Sequence, residues 1–241
     1  MMHISAIIVA AGSSQRMGGG GKKEYRFLSS EADGSKPSQT VLGAAFHTFA
    51  SSPRISSIII VHPVKAEIGE TAARVAIGAH ALDGYQGEVF FVPGGESRRI
   101  SVFHALSLLD ALEGSRSGLV LIHDGARPWV DNALVNRVID AAIEHGAAIP
   151  VLPLTETPKE LDETGIFVKQ HLHRSRLALA QTPQGFHFAP ILEAHRKAAE
   201  LSMKTNTEWT DDAEIYGAFL GKVAVVSGDI RNKKITFSGD L

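Results

Sequence analysis

The sequence predicts an α/β fold: a mainly parallel sheet flanked by helices. Three observations predict it. Short β-branched apolar runs recur at Ile4–Val9, Ile55–Val61, Val89–Val92, Leu119–Ile122, Ala147–Val151 and Val223–Val226. The segments between them read as amphipathic helices. The polar motifs fall directly after the runs, where open parallel sheets bind ligands. Runs this uniformly apolar point to strands buried on both faces.

The first run passes into Ala10-Ala11-Gly12, and Arg16, Gly18–Gly21, Lys22 and Lys23 follow. Small residues let backbone N–H groups approach a phosphate chain, and Arg16 and Lys23 can place positive charge on it. The pattern is neither a dinucleotide fingerprint nor a P-loop, because Lys23 is followed by Glu24 rather than a hydroxyl residue. The four glycines add further small residues to this strand-to-loop cradle. Ser29–Gln39, polar and broken by Gly34 and Pro37, reads as a mobile surface loop. A helix is expected over Val41–Ala50. Another is expected over Ser97–Leu112, with Val102, Leu106 and Leu109 on one face. Asp131 reads as the N-cap of Asn132–His145, with Gly146 as its stop. Thr210 reads as the cap of Asp211–Leu220, ended by Gly221. Thr155–Arg176 breaks the alternation. It reads as a hairpin arm with Asp162-Glu163-Thr164-Gly165 at its tip. A projecting hairpin cannot bury both faces alone, so it invites a partner. No linker or repeat divides the chain, which reads as a single domain over residues 1–241 with its arm at 155–176.

Bulk composition narrows the function. A net charge of -2 over 241 residues argues against a dedicated nucleic-acid binder. No cysteine is present, which excludes disulfides and thiolate metal sites and fits a reducing compartment. No stretch approaches the roughly 20 apolar residues that span a bilayer. The N-terminal apolar run ends in Gly12-Ser13-Ser14 and reads as a buried strand rather than a signal peptide. The expected location is cytoplasmic.

Each polar cluster carries two readings. Gly94-Gly95-Glu96-Ser97-Arg98-Arg99 is a glycine turn at a strand's carboxyl end, or a plain strand-to-helix turn. In His123-Asp124-Gly125-Ala126-Arg127-Pro128, Asp124 can approach a magnesium ion held by phosphates, and Arg127 offers a planar fork for phosphate. The alternative is a local Asp–Arg ion pair. Thr210-Asp211-Asp212-Ala213 could hold a metal or a sugar hydroxyl, but ordinary helix capping explains it better. Gly228–Thr236 carries three cations, as a substrate site or as a solvated loop. His171 and His173 share a strand face without a third zinc ligand. His145, His187 and His195 read as surface or packing residues. No Gly-x-Ser-x-Gly elbow is present.

Taken in order, these motifs resemble the cytidylyltransferases of the sugar-nucleotidyltransferase superfamily, and among them the 2-C-methyl-D-erythritol 4-phosphate cytidylyltransferases of non-mevalonate isoprenoid synthesis. The ordered set is Ala10-Ala11-Gly12-x-x-x-Arg16-Met17, Lys23-Glu24-Tyr25, Gly94-Gly95-Glu96, Ser101-Val102 and His123–Pro128. It continues with Thr157-x-Lys159, Arg174, Gln181-Thr182-Pro183-Gln184, Thr210–Ala213 and Asn232-x-Lys234-x-Thr236. The resemblance implies a Rossmann-like fold, CTP as co-substrate, magnesium as cofactor, and a homodimer formed through the arm. Ala10, Ala11 and Gly12 would line the CTP phosphates and ribose, and Gly95, Glu96 and Ser101 would read cytosine. Arg16, Lys23 and Lys234 would stabilise charge on the α-phosphate. Asp124, Arg127 and Thr210 would surround the polyol phosphate, with Asp124 on the metal. Thr157 and Arg174 would reach into the partner's site. Ribitol-5-phosphate cytidylyltransferase and a catalytically silent CTP-binding protein are the competing readings.

The sequence departs from the family pattern at several places. Lys22 stands where proline is usual, Glu24 replaces glutamine, Asp212 replaces glutamate, Glu156 replaces aspartate, and Arg231 sits where an acid is common. The 29–39 loop is long, and the chain stops at Leu241 where the pattern carries a last helix.

Overall fold

The computed structural model describes residues 2–12, 22–28, 39–112, 118–205 and 207–241. Arg16, the glycines at 18–21 and most of the 29–39 loop lie outside the described residues. The strands are β1 (Ile4–Val9), β2 (Ser57–His62), β3 (Glu88–Pro93), β4 (Leu119–Asp124), β5 (Ala147–Pro153), β6 (Lys159–Leu161), β7 (Val168–His171), β8 (Ala178–Ala180), β9 (Gln184–His187) and β10 (Ala224–Ser227). The helices are α1 (Val41–Ala50), α2 (Glu70–Ile77), α3 (Ala79–Gly84), α4 (Arg98–Ala111), α5 (Asn132–His145), α6 (Phe188–Thr205) and α7 (Asp212–Phe219).

Eight strands form one sheet in the order β10-β5-β9-β4-β1-β2-β3, with β8 also pairing β5. β1, β2, β3 and β4 are parallel neighbours, and β10 is parallel to β5. The side-chain period of two divides the strand residues between two cores. Ile4, Ala6 and Ile8 pack with Leu42 and Phe46 of α1 and Val135 and Val138 of α5. Ile7, between them, packs with Val102 and Leu106 of α4 and Ile191 and Ala194 of α6. Both faces are therefore covered, as the apolar runs predict.

The chain leaves β1 for β2 and β3 on one side and returns to β4 on the other. Val9 sits opposite Val61 on one flank and Asp124 on the other. The carboxyl ends of three strands thus open together at a topological switch point, where an α/β sheet leaves a crevice.

Helix boundaries follow their caps. Asp131 accepts from the Leu134 N–H at 2.8 Å, and left-handed Gly146 (φ 85°) closes α5. Ser97 caps α4 by accepting from Ile100 N–H at 3.2 Å. The start of α7 differs from expectation. Asp211, not Thr210, is the cap: its carboxylate accepts from Glu214 N–H at 2.8 Å. The Thr210 N–H and hydroxyl instead both donate to the Glu214 carboxylate, each at 2.7 Å. The carboxylate one residue further on is the stronger acceptor for the helix's free N–H groups.

Two elements carry no clear sequence signal. β9 runs antiparallel between β4 and β5 because the chain, having gone out along the arm, returns beside β5. A side chain at Gly185 would meet Val138, Ala142 and Leu121, so only glycine lets α5 lie this close to β9. α6 follows β9 directly and has no Ser, Thr, Asp or Asn before it. Its Pro190 sits in the first turn, where the missing N–H costs nothing. The expected arm is present as the β6–β7 hairpin, with Gly165 at φ 70° in its tip.

Candidate active site

A cleft of about 620 Å³ opens at the switch point. One wall comes from the end of β1, where Ala11 and Gly12 line it. Ala10 lies beneath, fully buried, and its N–H donates to Val61 O at 2.8 Å. The opposite wall is the β3–α4 turn, with Gly95, Glu96 and Ser101. Ser101 is buried. Its Oγ accepts from Gly95 N–H at 3.0 Å and donates to Ser97 O at 2.9 Å. It therefore shapes the turn that carries Gly95 and Glu96. A Cβ at Gly94 would collide with Ala11, so glycine there lets the two walls approach.

The floor is a cluster of charges around Asp124. Arg98 Nε donates to Asp124 Oδ1 at 3.3 Å, and Lys234 Nζ lies 2.9 Å from Oδ2. Arg127 Nε reaches Oδ2 at 3.5 Å, and its Nη1 donates to Asn232 O at 2.8 Å. Burial alone would raise the Asp124 pKa. The charges of Arg98, Lys234 and Arg127 outweigh it and hold the carboxyl well below the ordinary range. Burial pushes the Arg127 pKa down, against the pull of Asp124. Lys23 approaches from the 3-10 turn at Lys23–Tyr25, and its Nζ donates to Ile235 O at 2.8 Å. Lys23 and Lys234 both line the cleft beside Asp124.

A second layer holds this floor. His123 Nε2 faces Arg127 O at 3.1 Å, an acceptor, so this nitrogen carries the proton. Nδ1 then accepts from the Thr182 hydroxyl at 3.0 Å, whose oxygen accepts from Asp124 N–H at 3.1 Å. Complete burial pushes the His123 pKa down to about 4, which keeps the ring neutral and this network intact. Gln181 Nε2 donates to Asp229 O at 2.9 Å, and its Oε1 accepts from Asp229 N–H at 3.0 Å. Asn232 Nδ2 donates to Thr182 O at 2.8 Å, fastening the loop that carries Lys234.

The cleft brings together Ala11, Gly12, Lys23, Gly95, Glu96, Ser101, Asp124 and Lys234 from the predicted residues. Arg127 stands behind Asp124. Thr157 and Arg174 lie on the exposed arm, where Arg174 Nη1 donates to Thr155 O at 2.6 Å. Thr210 is engaged at the start of α7 and does not line the cleft. Arg98 and His195 were not expected as site residues, and Asp212 was read as helix capping ahead of a metal or sugar-hydroxyl role. Arg98 bridges the floor to buried Asp212, which His195 meets at 3.1 Å from behind. The available signal was Arg98 itself, placed directly after the Ser97 cap at a strand's carboxyl end.

Among the described residues, no group of three or more carboxylate or imidazole side chains could hold a metal. Magnesium takes one or two carboxylates and completes its shell with phosphate oxygens and water; Asp124 is a single carboxylate at the floor whose oxygens face Arg98, Lys234 and Arg127. No helix of the described residues is long and apolar enough to cross a membrane.

The sequence pattern of the IspD family, 2-C-methyl-D-erythritol 4-phosphate cytidylyltransferase, matches residues 4–241. The bifunctional enzyme IspD/IspF of a Bradyrhizobium species is 38% identical over 241 residues, covering 98% of this chain and 54% of that protein. The chain spans about half the length of the curated relatives it matches. Among solved structures, 4-diphosphocytidyl-2C-methyl-D-erythritol synthase from Anaerococcus prevotii is 28% identical with a TM-score of 0.76, covering 99% of this chain and 92% of that one. The 2-C-methyl-D-erythritol 4-phosphate cytidylyltransferase from Thermus thermophilus is 31% identical with a TM-score of 0.69, covering 99% and 95%. Fold and sequence agree, and the chain belongs to the 2-C-methyl-D-erythritol 4-phosphate cytidylyltransferase family.

Proposed function

We propose that this chain transfers CMP from CTP to 2-C-methyl-D-erythritol 4-phosphate, releasing pyrophosphate. The observation that carries this reading is the convergence of Lys23, Lys234 and Arg98 on one cleft beside Asp124. An oxygen of the substrate phosphate attacks the α-phosphorus of CTP in line. The bond to the bridging oxygen breaks, and that oxygen leaves on pyrophosphate. The nucleophile is already an anion near neutral pH, so no strong general base is needed. The task is to hold two mutually repelling anions together and stabilise added negative charge.

Each residue has a part in that task. Ala11 and Gly12 present backbone to the triphosphate, with Ala10 supporting them from beneath. Gly95 and Glu96 face the base, and Ser101 fixes their turn. Lys23 and Lys234 meet the α-phosphate, joined by Arg16. Lys234 is the half-exposed member of the floor and can shift from Asp124 to phosphate. Arg98 stays, because Asp212 holds its other end. Asp124 is the residue that would hold magnesium with the phosphates, and the ion would supply charge neutralisation.

The arm supports a homodimer. Leu161, Ile166, Phe167 and Val168 are exposed on the hairpin, an apolar surface a second copy would cover. In that assembly Thr157 and Arg174 would complete the partner's polyol-phosphate subsite, with Arg127 and Thr210 on the near side.

The deciding experiment supplies CTP and magnesium with either methylerythritol phosphate or ribitol 5-phosphate and measures pyrophosphate. Release with the first substrate is expected. Release only with ribitol 5-phosphate, or CTP binding without turnover on either, overturns the reading.

A further inference from the structure

Lys22 is a buried cation beside the cleft that takes no part in the chemistry above. Its side chain is 2% exposed and that of Glu24 is 4% exposed, with Nζ 2.9 Å from Glu24 Oε2. The same ammonium donates to Gly12 O at 2.6 Å and lies 5.8 Å from the centroid of the Tyr25 ring. Glu24 and Gly12 both line the cleft. A carboxylate in that wall is costly for a site built for an anion, because it repels each phosphate that enters. Lys22 removes the penalty from behind, and its bond to Gly12 fixes the ammonium where it can do so. Lys23, the next residue, then presents its charge beside a neutral wall.

We propose that Lys22 is a positioning residue of the nucleotide cleft, whose buried charge neutralises Glu24 so that the cleft accepts a triphosphate. The inference rests on the CTP-binding reading above and adds a residue to it. Burial pulls the Lys22 pKa down and the Glu24 carboxylate offsets part of that pull, so the ammonium depends on its neighbour.

The test measures CTP binding by calorimetry on the full chain, with the melting temperature of each variant alongside. Lys22→Gln removes the charge and keeps an N–H donor toward the Gly12 carbonyl on a side chain one bond shorter. It is expected to weaken CTP binding by about tenfold or more. The double variant Lys22→Gln with Glu24→Gln restores neutrality and is expected to bind within about threefold of wild type. Lys22→Met, alone and with Glu24→Gln, serves as the second pair where the glutamine variant does not fold. Binding by Lys22→Gln as tight as wild type overturns the proposal, and so does a double variant no tighter than the single. Failure of the wild type itself to bind CTP would instead overturn the functional reading.

Discussion

Asp212 holds Arg98 from behind: its Oδ2 accepts from Arg98 Nη1 at 2.7 Å with the carboxylate fully buried. Arg98 in turn reaches Asp124 at 3.3 Å. A carboxylate at the start of α7 thereby sets the charge on the cleft floor, two elements away. Its own pKa would rise with burial, but Arg98 and His195 hold it low.

Asp212→Asn should therefore leave Arg98 half-paired in a largely buried position. Losing one partner of a buried ion pair costs about 3–5 kcal/mol. Urea denaturation should show that loss, together with a lower kcat. Asp212→Glu, which restores the charge, should recover part of both. A stability change under about 0.5 kcal/mol in Asp212→Asn would contradict the structural role.

Lys234→Ala and Lys23→Ala should each lower kcat by about 10²–10³-fold, the scale of losing one preorganised donor to a developing charge. The fold should survive in both, since Lys234 is partly exposed and Lys23 sends its ammonium to the Ile235 carbonyl at the cleft rather than into either apolar core. Steady-state kinetics with circular dichroism on the same samples separates the two effects. An unchanged kcat in either variant would remove that lysine from the reaction centre.

Stability should fall with acid in a window set by His123. Its pKa is about 4 in the folded chain against an ordinary value of 6.5. The unfolded chain therefore takes up the proton first as pH drops. The stabilisation is fully present above pH 6.5 and is lost progressively as pH falls toward 4. The shift corresponds to roughly 3 kcal/mol. Urea titrations at neutral pH and at the acid end of this window should show a slope that His123→Gln largely removes. An equal slope in both proteins would mean that other groups carry it.

Arg174→Ala and Lys234→Ala test the shared site without further structure. Each alone should be nearly inactive. Mixed after unfolding and refolding, they should recover about a quarter of wild-type activity, because half of the dimers are hybrids and each hybrid holds one intact site. No recovery, with dimers verified by light scattering, would place Arg174 in its own subunit's site.

Much of this architecture was legible in the chain. The apolar runs predicted every parallel strand of the central sheet: β1, β2 and β4 are buried on both faces and must be apolar at consecutive positions, while the edge strands β3 and β10 are only partly buried. Asp131 and Gly146 marked both ends of α5, since capping is a local interaction within one turn. β9 and α6 were not legible. β9 is a four-residue strand whose pairing depends on where the arm returns the chain, and α6 begins without a capping side chain. Thr210 was misread as the cap because Asp211 competes for the same N–H groups one residue later, and sequence spacing does not rank the two.

The site divides in the same way. The residues at or beyond strand ends (Gly12, Gly95, Asp124, Lys234) could be picked out from sequence, because a strand's carboxyl end places what stands there at the crevice. The partnerships could not. Lys22 and Glu24 look like two separate departures from a family pattern, yet they form a buried ion pair at 2.9 Å. Arg98, Asp212 and His195 are spread over 115 residues of sequence and meet only after α4, α6 and α7 pack on one face of the sheet. Sequence determines local conformation and which groups stand at strand ends. Which charges neutralise one another depends on distances of a few ångströms between remote segments, and packing alone sets those.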